Sequence, residues 1–161
     1  MIRIKFHQLA LIFYYIWSAV IVVLMLIPVA GIGSTELGNI RFRTDYLLHA
    51  IAFFPLPLAA WLACNLRSVP HTAGFAGLVS VSVILGIGTE FLQIMVPGRS
   101  FNYMDIIFNI TGIVSGIIVV LILRKHPLTR QWLERVSVEN HLMEKESAEN
   151  HLMEKESAEI S

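Results

Sequence analysis

The chain has 161 residues, 55% of them hydrophobic and 15% charged, and a mean hydropathy of +0.66. Soluble domains carry about 25% charged residues, so the composition argues against a water-soluble globular fold. The single Cys64 closes no internal disulfide and has no cysteine partner at metal-ligand spacing, which excludes disulfide-stapled mini-domains and zinc fingers. The net charge of zero joins two opposed parts. Met1 to Leu133 holds nine bases against four acids (+5), and Glu134 to Ser161 holds three against eight (−5). The overall balance therefore names no partner. No phosphate loop or nucleic-acid surface is present, so no nucleic-acid partner is expected.

A helix needs about 20 apolar residues to cross roughly 30 Å of hydrocarbon. Leu9 to Ile27 is nineteen residues without a charge, and Tyr46 to Cys64 is nineteen more with His49 near its start. Ala73 to Val96 is twenty-four residues with Glu90 as its one charge, and Ile106 to Leu123 is eighteen with none. The expected fold is all-α: a polytopic membrane protein of four transmembrane helices, followed by a polar repetitive tail. The domain reading is a four-helix membrane domain at 1–133 and an acidic ten-residue-repeat tail at 134–161.

The first span follows Arg3 and Lys5, as a secretory signal would. Its apolar core exceeds the roughly 7–15 residues of a signal h-region, so it reads as an uncleaved signal anchor. Pro55 and Pro57 interrupt the second span. Each removes a backbone donor, and together they predict a kink.

Orientation follows the short basic flanks. Arg3, Lys5, Arg67, Arg124, Lys125 and Arg130 fall on one side, and Arg41, Arg43 and Arg99 on the other. The heavier side is expected in the cytoplasm, giving an N-in/C-in topology with the first and third loops outside.

On that topology three helices carry polar residues at one depth. Asp45 stands at the mouth of the second helix and His49 one turn deeper on the same face. Glu90 lies seven residues before Pro97, about 10 Å inward at 1.5 Å per residue, with Gln93 one turn closer to the surface. Asp105 opens the fourth helix and Asn109 follows one turn down. Arg99, in the Pro97-Gly98-Arg99-Ser100 connection, is expected above them. A charge at the centre of a membrane helix costs roughly 2.5–3.5 kcal/mol on insertion scales, so Glu90 should face the bundle interior.

A carboxyl beside an imidazole is the minimum equipment for general acid–base chemistry. Glu90 and His49 are accordingly the candidate catalytic residues. Arg99, Asp45, Asp105, Asn109 and Gln93 are candidate substrate-binding residues. Structural readings stand beside these. Gln93 and Asn109 suit interhelical packing bonds, Asp45 and Asp105 suit caps on the helix dipole, and Arg99 suits an interfacial anchor. Gly86, Gly112 and Gly116 follow the small-residue packing pattern. No HExxH or cysteine spacing supports a metal site from His49, Glu90 and the aspartates, and no cofactor or metal is expected.

The tail repeats Ser137–Glu146 as Ser147–Glu156 with Val138 replaced by Ala148. Ten residues do not make a whole number of turns at 3.6 per turn. Its Leu-Met pairs drift around any helix, so it reads as a polar appendage, partly helical or disordered.

Three blocks carry a resemblance: Arg43-Thr44-Asp45-Tyr46-Leu47-Leu48-His49, then Gly88-Thr89-Glu90-Phe91-Leu92-Gln93 with Pro97-Gly98-Arg99, then Asp105-Ile106-Ile107-Phe108-Asn109-Ile110-Thr111-Gly112. In order and spacing they resemble VanZ-like membrane proteins over about Ile12 to Leu123. Tyr46 departs from the pattern, since many relatives carry Lys there, leaving one fewer positive charge near the carboxylates. The family is named for a protein associated with low-level teicoplanin resistance in bacteria. The resemblance implies a multi-pass protein of the bacterial plasma (inner) membrane, in contact with membrane lipids. It supplies no mechanism and no oligomeric state. Three functions stay open: action on a lipid-linked or cell-wall precursor at the outer leaflet, non-catalytic binding of a lipid or glycopeptide or scaffolding of envelope enzymes, and small-solute or proton transport. Four helices without polar inner halves favour transport least.

Overall fold

The computed structural model of the protein describes residues 6–27, 34–37, 40–66, 72–97 and 100–159. Helix α1 covers Phe6–Leu26, α2 Thr44–Phe53, α3 Pro55–Asn65, α4 Thr72–Gln93, α5 Tyr103–Lys125 and α6 Pro127–Glu159. Four spans are long and apolar enough to cross a membrane: Phe6–Leu26, Asp45–Asn65, Thr72–Gln93 and Tyr103–Lys125. The four expected from hydropathy are these four, with ends shifted by a few residues. In the first loop lies an antiparallel hairpin absent from the all-α expectation. Its strands are β1 (Ser34–Leu37) and β2 (Ile40–Arg43), with Ser34 opposite Arg43 and Leu37 opposite Ile40. β2 runs directly into α2, so the hairpin fixes where the second span begins.

That second span is two helices. The chain turns at Phe54, whose N–H still reaches the Ala50 carbonyl at 3.0 Å, and α3 restarts with Pro55 in its first turn. The kink follows from the two missing proline donors. α3 is the most central element and packs against α1, α4 and α5, while α2 packs chiefly on α5. The core gathers Tyr14, Ile21 and Met25 of α1 with Phe53, Leu56, Ala59, Ala60 and Ile113.

Close approach of α5 to the kink rests on two glycines. A Cβ at Gly112 would run into the Ala50 carbonyl oxygen, and one at Gly116 would stand 2.5 Å from the Phe54 oxygen and 3.1 Å from Pro57 Cγ. The Gly112-xxx-Gly116 pattern therefore packs this chain's own second span. Aromatic stacking joins the same pair of helices nearer the mouth, with Tyr46 and Phe108 centroids 5.0 Å apart.

The exposed surface of the bundle is apolar. Ile51, Ile84, Phe91 and Ile122 point outward, whereas His49, Ser82, Thr89, Glu90, Gln93, Asp105 and Asn109 are buried. Apolar outside and polar within is the arrangement that hydrocarbon solvent selects.

α5 ends at His126, whose extended backbone (φ −74°, ψ 127°) is what a following proline imposes. Pro127 then opens α6. The repeat, expected to be partly helical or disordered, lies within this one helix, which crosses the 133/134 boundary without a break. Val136 and Asn140 of α6 are buried, and Asn140 Nδ2 donates to the Leu66 carbonyl at the end of α3 (2.9 Å).

Candidate functional site

The N-termini of α2 and α5 lie side by side, and each brings an aspartate in its first turn, Asp45 and Asp105. A helix N-terminus favours negative charge, so both carboxylates stand where backbone dipoles support them. Asn102 caps α5. Its Oδ1 accepts the Met104 N–H at 3.1 Å, and its Nδ2 donates to Asp105 Oδ1 at 2.8 Å. Asp105 Oδ2 is then the oxygen turned toward His49 Nε2, at 3.7 Å.

One turn deeper, His49 is 1% exposed. Its two ring nitrogens have different partners. Nδ1 meets Asn109 Oδ1 at 2.9 Å, and Nε2 faces Asp105 Oδ2 and Asp45 Oδ1, the latter at 4.0 Å. Asn109 settles the tautomer, because its Nδ2 donates to the Gly86 carbonyl at 2.8 Å. The amide oxygen is thus the atom presented to His49, and Nδ1 must carry a hydrogen to bond it. Nε2 is left to face the two carboxylates. Gly86 makes this reach feasible, since a Cβ there would stand 3.3 Å from Asn109 Cβ and 3.4 Å from the Phe53 ring.

Glu90 and Gln93 follow Gly86 by four and seven residues on the same face of α4, and both are buried (0% and 1% exposed). Glu90 thus faces the protein interior, as the expense of a carboxylate among acyl chains requires. Asp45, Asp105 and Asn109 all lie within 4.0 Å of the His49 ring nitrogens, while Glu90 and Gln93 are buried on α4 beyond Gly86. Arg99 lies outside the described residues.

Several participants carried no sequence signal strong enough to single them out. Asn102 sits before the fourth span and looks like a loop residue. Thr89 is fully buried and turns its hydroxyl to the Gly86 carbonyl at 3.3 Å. Tyr14 donates to the Leu78 carbonyl at 2.7 Å and meets Ser82 Oγ at 2.9 Å, tying α1 to α4. Trp17 Nε1 donates to the Ala52 carbonyl at 2.8 Å, just before the kink.

Among the described residues, Asp45, His49 and Asp105 can each turn one ligand atom inward with all three within 4.8 Å. Glu90, the candidate catalytic carboxylate, is not one of the three.

Four spanning helices, an apolar exterior and a polar cluster buried at one end of the bundle define a multi-pass membrane protein. The chain belongs to the VanZ/LLP1 family, whose model matches residues 6–124, from the first residue of α1 almost to the end of α5. It is therefore a VanZ-like membrane protein, of the family named for its association with teicoplanin resistance. No curated protein and no solved structure matches it.

Proposed function

We propose that the protein works at the outer leaflet of the bacterial plasma membrane on the headgroup of a lipid-linked or cell-wall precursor, and so contributes to glycopeptide (teicoplanin) resistance. The observation that carries this reading is the convergence of Asp45, His49, Asp105 and Asn109 at the end of the bundle where α2 and α5 begin. The basic flanks assign that end to the exterior. His49, held through Nδ1, presents Nε2 as the proton-handling atom, and Glu90 supplies a second titratable group from α4. Arg99 follows α4 in the third loop, and its forked guanidinium suits phosphate or carboxylate.

Glu90→Gln and His49→Ala, expressed at wild-type abundance, test the reading through teicoplanin susceptibility. Loss of resistance in both supports it, and full resistance in both overturns the catalytic form. Thermal stabilisation by a lipid-linked precursor with no product in mass spectrometry would assign binding without turnover. Reporter fusions that place the Arg99 loop in the cytosol would remove the outer-leaflet site altogether.

A further inference from the structure

We propose that Asp45, His49 and Asp105 form a divalent-cation site, with His49 Nε2 and one carboxylate oxygen from each aspartate as its protein donors. The first support is convergence: three oxygen and nitrogen donors from two helices lie within 4.8 Å of one another around a nearly buried imidazole.

The second support is the direction and spacing of the imidazole. Because Asn109 holds Nδ1, a neutral His49 aims the lone pair of Nε2 at two carboxylate oxygens. Whatever else the two aspartates bond, that contact is itself repulsive unless a proton or a cation is shared there. A ring proton is one remedy, but an imidazolium bonded to a carboxylate closes to about 2.7–2.9 Å. The separations here are 3.7 and 4.0 Å. Two donors each about 2.0–2.2 Å from a shared ion stand about 3.0–4.4 Å apart, depending on the angle between them. The two separations from Nε2 fit donors around an ion and are too long for direct hydrogen bonds.

The surroundings agree. Metal-bound histidines hold their other ring nitrogen on an outer partner, and ligating carboxylates are likewise hydrogen-bonded. Asn109 does this for His49 and Asn102 for Asp105. One imidazole with two carboxylates suits a first-row ion of the zinc or manganese kind better than an all-oxygen Mg²⁺ or Ca²⁺ cage. Three protein donors leave a fourth position open, as at catalytic zinc centres. The inference stands apart from the envelope reading and, with an ion bound, displaces the acid–base role given there to His49, because a ligating Nε2 carries no transferable proton; metal uptake is measured without substrate or phenotype.

The experiment uses the full chain in detergent, stripped with chelator and dialysed against ZnCl₂. Wild type should retain one tightly held zinc per chain that His49→Gln and Asp105→Asn both lose. His126→Gln, at the exposed α5–α6 junction, should retain it. Asn109→Ala should weaken binding about 10–100-fold through its hold on Nδ1. Should the variants fail to fold, CoCl₂ added to wild type still decides. Intense visible absorption of a low-coordinate ion supports the site, and the weak spectrum of hydrated cobalt overturns it. Equal zinc retention by wild type and a folded His49→Gln/Asp105→Asn double variant also overturns it.

Discussion

Gly116 lies beneath the Phe54 carbonyl so closely that an added Cβ would stand 2.5 Å from its oxygen. The atoms it would meet are backbone and a proline ring, neither of which can swing aside. Gly116→Ala should therefore push α5 off the α2–α3 kink and destabilise by about 1–3 kcal/mol, the usual range for overpacking. Gly112→Ala, against Ala50, should act in the same direction. Gly77 and Gly88 of α4 have nothing within 4 Å of a built Cβ. There alanine should be neutral or stabilising, by up to about 1 kcal/mol of helix propensity. Thermal unfolding of the four variants in detergent checks the contrast. Equal behaviour of Gly77→Ala and Gly116→Ala would refute it.

Asn102 has two tasks that substitution can separate. Asn102→Ala removes both the cap on Met104 and the bond to Asp105 Oδ1, and loss of a cap typically destabilises by about 0.5–2 kcal/mol. Asn102→Asp keeps an oxygen for the Met104 N–H but sets a second carboxylate against Asp105. It should recover helix α5 while still disturbing the His49 cluster. Unfolding midpoints should then rank wild type, Asp and Ala in falling order, with the site readout impaired in both variants. Full site function in Asn102→Asp would show that Asp105 needs no such anchor.

How far the sequence reading reached depends on which physical quantity each residue controls. Hydropathy sets how long a segment can remain in hydrocarbon, so the four spans were legible, and so was the break at Pro55, which removes donors wherever it sits. Depth along a helix follows from counting residues at 1.5 Å each. Asp45, His49, Asp105 and Asn109 were accordingly placed at neighbouring levels. Rotation about each helix axis is not fixed by counting. Which carboxylates meet His49 Nε2, and that Asn109 takes Nδ1, emerged only from packing. The sequence signal for β1 and β2 is Gly38-Asn39, a dipeptide of the kind that joins hairpin strands. The tail's helix rests on another quantity. A ten-residue period makes no continuous stripe, yet Glu, Lys, Leu, Met and Ala are strong helix formers, and propensity needs no stripe.

Tyr14 and Ser82 form a polar clamp between α1 and α4: the phenol donates to the Leu78 carbonyl at 2.7 Å, and the one serine hydrogen goes either to the phenol oxygen at 2.9 Å or to Leu78 at 3.0 Å. Interhelical hydrogen bonds in membrane proteins average only about 0.6 kcal/mol in double-mutant cycles, with maxima near 1.7. Both residues are fully buried, so the pair should fall in the upper half of that range. Tyr14→Phe, Ser82→Ala and the double variant, unfolded in a detergent–SDS titration, give the coupling directly. A coupling indistinguishable from zero would mean that the two side chains merely share a carbonyl.

Asn140 supplies a side-chain hydrogen bond from α6 to the transmembrane body, through the Leu66 carbonyl, with Val136 buried one turn before it. The carboxamide oxygen of the same residue is buried with no hydrogen-bond partner among the described residues, so the docking carries an internal penalty. Removing the side chain loses one bond but also removes that unsatisfied oxygen. A typical bond contributes about 0.5–1.5 kcal/mol, and Asn140→Ala should give the lower end of it. Amide exchange in α6 should then accelerate about two- to threefold at the 0.5 kcal/mol end, while exchange in α3 and α5 stays as in wild type. Asn140→Asp should release α6 further, because a carboxylate would face the Leu66 carbonyl with no hydrogen to donate. Unchanged α6 exchange in both variants would show that the docking does not depend on the Asn140 bond.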